Sequence, residues 1–65
     1  MTHLTKRQCQ VVELLAQGLR VKQISSRLFV EDKTVLNHIY HMKKVTGAKS
    51  LPHLVAIAMR TGQIQ

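Results

Sequence analysis

Apolar residues recur along the chain at intervals of three and four, which is the period of an amphipathic α-helix. They fall into four segments, separated by short polar or glycine-containing stretches. We therefore predict an all-α domain of four helices. The predicted helices span about residues 6–17, 21–28, 32–46 and 51–61.

The residues between the segments carry the signals that begin and end helices. Thr5 and Gln8 have the spacing of a capping box, in which each side chain accepts a hydrogen bond from the other residue's amide. Gly18 and Gly47 follow the first and third segments, where a left-handed residue ends a helix at little steric cost. Pro52 fits the first turn of the fourth helix, because an N–H there would have no partner.

The third predicted helix has two faces of different character. Its inward stripe, at i, i+3, i+4 and i+7, comprises Val35, His38, Ile39 and Met42. A second face, at i, i+3, i+4, i+7 and i+11, comprises Lys33, Leu36, Asn37, Tyr40 and Lys44. This second face mixes basic, amide, phenol and aliphatic groups, which is unusual for a face that meets only solvent. We therefore interpret it as a binding face.

The composition excludes several classes of protein. Folding removes only about 60% of the surface of so short a chain from water, so an enclosed pocket for a substrate or small ligand is not expected. Its one cysteine, Cys9, cannot form an internal disulfide, and the four histidines lack the paired spacings of a zinc site. We expect no catalytic residue, no metal and no cofactor. No segment is long enough to span a bilayer and no export signal is visible, which favours a cytoplasmic location.

The charge of the chain is strongly positive and unevenly distributed. Ten lysines and arginines oppose three acidic residues, for a formal net charge of +7. Most of the basic residues lie between residues 20 and 49, where only Glu31 and Asp32 oppose them. Such a charge favours nucleic acid, an acidic protein or an anionic membrane as partner. Two short helices joined by a tight turn, the second with a basic outer face, predict a helix-turn-helix that enters the DNA major groove.

Residues 4–64 resemble the LuxR-type, or GerE-like, DNA-binding domain of bacterial regulators. The matching fragments are Leu4-Thr5-Lys6-Arg7, Val11, Leu14-Leu15-Ala16-Gln17-Gly18, Lys22-Gln23-Ile24, Leu28, Val30, Lys33-Thr34-Val35 and His38. Each fragment is weak alone, but the combination at fixed separations is specific. The resemblance implies a single domain, which we predict to span residues 1–65 with a disordered tail at 1–3. It also implies that the third helix reads the major groove and the fourth mediates dimerisation on two-fold DNA.

The resemblance also assigns roles to particular residues. The base-contacting positions of the family match Leu36, Asn37 and Tyr40. Asn37 can pair with the N6 and N7 edge of adenine, Leu36 can cover a thymine methyl, and the Tyr40 hydroxyl can reach a base or a phosphate. The predicted phosphate contacts are Lys22, Lys33, Thr34 and Lys44. The predicted dimer interface comprises Val55 and Met59, which lie four residues apart on the fourth helix.

Some positions depart from the family pattern. Leu36 stands where lysine is common, so an apolar contact replaces a charged one and the preferred DNA site should differ. Glu31 stands where a serine or threonine usually caps the third helix, although its charge suits the helix dipole. We therefore interpret the chain as a divergent member with lower stability or weaker dimerisation.

Two other interpretations stay open at this point. A sigma-factor-like promoter-reading domain shares the helix-turn-helix and needs no dimerising fourth helix. A protein-interaction module would dock its basic third helix on an acidic partner such as RNA polymerase or another regulator. Binding to a membrane surface is disfavoured, because the third helix lacks a broad apolar outer face. The expected partners are double-stranded DNA, a second copy of the chain through helix 4, and RNA polymerase.

Overall fold

Four α-helices form the chain in the computed structural model, which describes residues 3–64. They are α1 (Lys6–Ala16), α2 (Val21–Leu28), α3 (Asp32–Thr46) and α4 (Leu51–Arg60). The predicted all-α fold is confirmed, and α1 and α4 each end one residue earlier than predicted. Within residues 3–64 there is no strand. None of these four helices is long and apolar enough to cross a membrane.

The predicted tail at residues 1–3 falls mainly outside the described residues, which begin at His3. His3 is exposed and precedes the first helix. The extent of the domain over residues 1–65 accordingly stays a prediction at both ends.

Local capping interactions set the helix boundaries. The predicted capping box is present in α1: the Gln8 amide donates to Thr5 Oγ1 at 3.1 Å, and the Thr5 amide donates to Gln8 Oε1 at 2.9 Å. In α4 the His53 amide donates to the Ser50 hydroxyl at 3.2 Å. Gly47 ends α3 in the left-handed conformation, with φ of 75°. Each boundary therefore has a cause in residues close to it in sequence.

All four helices contribute to one apolar core. Its buried residues are Val11, Val12, Leu14, Ile24, Val35, Ile39, Met42, Ala48, Leu54, Ala58 and Ile64. The predicted inward stripe of α3 is confirmed for its three apolar members, and His38 is half-buried beside them. Since Ile64 returns to the core after α4, and the Leu4 amide donates to the Gln63 side chain, the two ends of the domain lie together.

A buried serine joins α2 to α3. Ser25 is only 4% exposed, and its hydroxyl contacts the carboxylate of Asp32, the first residue of α3. The same hydroxyl lies 2.9 Å from the Lys22 carbonyl. Burying a hydroxyl is unfavourable unless it forms hydrogen bonds, and Ser25 satisfies this requirement where the two helices meet. The contact therefore fixes the start of α3 relative to α2.

The turn between α2 and α3 contains a backbone conformation that the sequence did not indicate. Phe29 caps the C-terminus of α2 with φ of 59° and ψ of 42°, which is the left-handed region. This region is uncommon for a residue with a bulky side chain. The Val30 amide donates to the Ser25 carbonyl at 3.0 Å, which closes the turn. The Phe29 side chain gains no packing in return, because it is 94% exposed.

We predict that Ser25→Ala lowers the free energy of unfolding by about 1–2 kcal/mol, because it removes a hydrogen bond to a charged group. Urea unfolding followed by far-ultraviolet circular dichroism measures the change. Ser26→Ala is the matched control, since Ser26 is exposed on the same helix. Its effect should stay within about 0.5 kcal/mol. Equal effects of the two substitutions would contradict a role for the Ser25–Asp32 contact.

We predict that Phe29→Asn raises the free energy of unfolding by about 0.5–1 kcal/mol, because asparagine adopts the left-handed region more readily. Phe29→Ala removes the same exposed ring but keeps the unfavourable backbone conformation, so it should give no such gain. The same urea titrations compare the two variants. A gain of equal size in both would show that the exposed ring, and not the backbone, carries the cost.

Candidate nucleic-acid interface

The outward face of α3, defined as Lys33, Leu36, Asn37, Tyr40 and Lys44, is exposed as the spacing predicts. The exposed fractions are 52% for Leu36 and 58% for Tyr40. Val35, on the opposite side of the same helix, is completely buried. The structure thus brings the three predicted base-contacting residues together on one solvent-facing surface.

Tyr40 has two neighbours on α3 that restrict its ring. The Lys44 ammonium lies 5.3 Å from the centroid of the Tyr40 ring, within range of a cation–π interaction. The His41 ring lies at a centroid distance of 5.7 Å and is tilted by 57°. Because Tyr40 and Lys44 are four residues apart, the helix itself places them side by side. The interaction favours an ordered phenol at the exposed surface.

The predicted phosphate contacts occupy two different places. Lys22 and Lys33 are exposed, and each is the second residue of its helix, α2 and α3. Amides in the first turn of a helix carry partial positive charge, so these lysines reinforce an anion-binding end. Thr34 follows in α3 but is half-buried, and its amide donates to the Glu31 carbonyl at 3.0 Å. Lys44 lies at the other end of α3, beside Tyr40.

A shallow depression of about 400 Å³ adjoins the outward face of α3. It is lined by Leu36, Ile39, Tyr40, Lys43, Lys44 and Ala48. Ile39 and Ala48 are nearly buried and belong to the core, whereas Leu36 and Tyr40 are exposed. The participation of Ala48 could not be predicted from the periodicity of α3, because Ala48 lies beyond the end of that helix. Only the reversal of the chain after Gly47 brings it here.

A second surface depression lies over α2 and the turn. Its lining residues are Leu19, Arg20, Lys22, Gln23, Ser26, Arg27 and Phe29. Three cationic residues line this depression together with one exposed aromatic ring, and no acidic residue lines it. Phe29 lies in the tight turn between α2 and α3. Its nearly complete exposure could not be read from the hydrophobic pattern, in which a phenylalanine is expected to be buried.

The two predicted dimer-interface residues differ in exposure. Met59 is 52% exposed, whereas Val55 is half-buried and packs against the core. The other exposed residues on the Met59 side of α4 include Pro52 and Ala56, at helical spacings of seven and three. An apolar strip on α4 therefore exists, and its assignment to a dimer interface stays a prediction.

Comparison with known proteins gives the family. Residues 2–58 match the model of the family described as bacterial regulatory proteins, luxR family. The chain is 40% identical over 62 residues to the spore germination protein GerE of Bacillus subtilis (strain 168), which covers 95% of this chain and 84% of that protein. It is 40% identical over 57 residues to the oxygen regulatory protein NreC of Staphylococcus aureus (strain JH9), covering 88% of this chain.

The solved structure of the response regulator ChrA of a heme-sensing two-component system has a similar fold. The TM-score is 0.92 at 25% sequence identity, over 98% of this chain. The chain spans most of the length of GerE but only 26% of NreC and 32% of the ChrA chain. These matches, together with the four helices and the exposed basic face, show that the chain belongs to the LuxR family, which is non-enzymatic. The chain is the helix-turn-helix DNA-binding domain of a bacterial transcriptional regulator.

Proposed function

We propose that this domain recognises a specific DNA sequence by placing α3 in the major groove. The observation that supports this most is the outward face of α3, where Leu36, Asn37 and Tyr40 are exposed together. The major groove is wide enough to admit an α-helix, and base pairs differ there in their donors, acceptors and methyl groups. The side chains that project from this face are therefore the ones that meet base edges.

The three side chains have different capacities. The Asn37 amide can donate to N7 and accept from the N6 amino group of one adenine, so it can discriminate adenine from the other bases. The Tyr40 hydroxyl can donate to a base or to a phosphate. Leu36 offers no hydrogen bond and can contact only apolar groups. Asn37 is accordingly the residue from which we expect the sharpest effect on hydrogen-bonded base preference.

Phosphate neutralisation supplies most of the sequence-independent affinity in this proposal. Lys22 and Lys33 lie at helix N-termini, Lys44 lies at the other end of α3, and the Thr34 hydroxyl adds a neutral donor. Each neutralised phosphate releases condensed counterions, which gives a slope of about −0.9 in log K against log salt concentration. Binding should therefore weaken steeply with salt. We place the protein in the cytoplasm, because bacterial DNA is there.

We further propose that two copies bind a two-fold DNA site through α4. Met59 is exposed beside Ala56, and half-buried Val55 lies at the edge of this apolar strip. A homodimer of this kind brings the same strip of both copies together. The two recognition helices would then enter successive major grooves about 34 Å apart on the duplex.

A contact with RNA polymerase, or with another regulator, is a second candidate function. The observation that favours it is Phe29, a 94% exposed ring near the cationic side chains of Lys22 and Arg27. An acidic protein surface with an apolar cleft would complement this combination. In this proposal the contact accompanies DNA binding, since α3 keeps its own outward face for the duplex.

Binding-site selection on the purified domain tests the DNA proposal directly. Asn37→Ala should relax the preference at one position in each half-site by about 1–3 kcal/mol, because it removes a bidentate base contact. Lys22→Ala is the matched comparison: it should weaken binding to all sequences alike and reduce the magnitude of the salt slope by about 0.9. An unchanged selection profile for Asn37→Ala would show that the outward face of α3 is wrongly assigned as the surface that contacts the bases.

We predict that Met59→Gln weakens binding of the second copy to a two-fold duplex by about tenfold, because a polar amide replaces apolar area at the interface. Sedimentation with a duplex of two half-sites measures the stoichiometry. Val45→Gln is the matched control, since Val45 is 55% exposed but belongs to α3. If both variants keep two copies on the duplex with the affinity of the parent chain, Met59 lies outside the interface.

A further inference from the structure

Leu36 is an unusual residue for the place it occupies. It is half exposed on a face that otherwise consists of two lysines, an amide and a phenol. The structure does not leave it isolated, because it forms one wall of the depression that also contains Tyr40, Ile39 and Ala48. An exposed leucine at the edge of an apolar depression can enclose a small apolar group, which a leucine on a flat surface cannot do.

The depression is built from elements that are held in place. Two of its lining residues, Ile39 and Ala48, are only 6% and 8% exposed and belong to the packed core. One wall is the Tyr40 ring, which carries the Lys44 ammonium near its face. Because the part of the lining formed by Ile39 and Ala48 is already packed, it needs no further ordering when a ligand binds, which lowers the cost of binding.

The charges around the depression restrict what it can accept. Lys43 and Lys44 line it, and no carboxylate does. A cationic group is therefore disfavoured, and the preferred ligand is an apolar group carried by an anionic molecule. On the major-groove edges of B-DNA the apolar group is the C5 methyl of thymine, and the phosphates of the same strands supply the negative charge.

We infer that Leu36 and the depression it forms with Tyr40 bind the 5-methyl group of a pyrimidine, so that the recognised DNA carries thymine at this position. The inference rests on the proposed function, because it requires α3 to lie in the major groove. Guanine and cytosine are disfavoured here, since their major-groove acceptors or amino group would lose water without gaining a partner from leucine. A 5-methylcytosine would recover the methyl contact alone.

Replacing thymine by deoxyuridine removes only the methyl group and tests the inference directly. The duplex is the preferred site of the parent chain from binding-site selection, with one thymine replaced at a time. We expect about a fourfold loss of affinity at one thymine in each half-site, which corresponds to one buried methyl group. Other thymines should show no comparable change.

Three variants identify the side chain responsible. Leu36→Ala should bind the thymine and deoxyuridine duplexes with equal affinity, whereas Val45→Ala should keep the fourfold difference, because Val45 does not line the depression. Leu36→Lys should change the selected base from thymine to guanine, which offers two acceptors to an ammonium. A parallel measurement compares duplexes with 5-methylcytosine or cytosine at this position. The parent chain should bind the methylated duplex about fourfold more tightly, whereas Leu36→Ala should bind both duplexes with equal affinity.

The outcomes separate this inference from the proposal on which it rests. If the parent chain selects a sequence but tolerates deoxyuridine at every thymine, the methyl inference is wrong and DNA reading by α3 stands. It is equally wrong if Leu36→Ala keeps the deoxyuridine penalty, because another side chain then contacts the methyl group. If no duplex is bound at low salt, the proposed function itself fails.

Discussion

The burial of one side of α3 determines which of its side chains remain exposed for binding. Val35 and Met42 are completely buried and Ile39 is 6% exposed. Each such side chain contributes roughly 1.5–3 kcal/mol on burial, so the three together approach the whole stability of a small domain. A rotation of α3 by one residue would bury Leu36 in place of Val35 and forfeit much of that stability. The outward face of α3 is therefore fixed as firmly as the fold itself.

The connection between α2 and α3 then sets the direction in which the outward face of α3 points. Two constraints act within a few residues of each other: the Ser25 hydroxyl contacts Asp32, and Phe29 reverses the chain in the left-handed conformation. The Asp32 carboxylate is the only acidic group of α3, and its contact with Ser25 keeps it at this connection. Because it also lies at the positive end of the helix dipole, it stabilises α3.

The parts of this structure that depend on near neighbours could be predicted from the sequence, and those that depend on the packing angle between helices could not. The boundaries of α1 and α3 follow from Thr5, Gln8 and Gly47, whose effects extend over one turn. By contrast, the half-buried state of Val55 depends on how α1 packs against α4. Helical periodicity placed Val55 and Met59 on one strip and could not show that their exposures differ. Ala48 joins the depression only through the chain reversal after α3, so no pattern within α3 indicates it.

The proposed binding mode assigns affinity and discrimination to different residues of this small domain. In the proposed binding mode, lysine contacts to phosphate act on every sequence and weaken with salt, whereas the neutral side chains of Leu36, Asn37 and Tyr40 act at short range on particular bases. A lysine at position 36 would serve both purposes, because an ammonium is attracted to any nearby phosphate as well as to guanine. A leucine at this position lacks that sequence-independent attraction at the centre of the outward face of α3. Because the net charge of the domain is already +7, in this proposal the exchange costs little general affinity and leaves discrimination to groups that bind only a matching base edge.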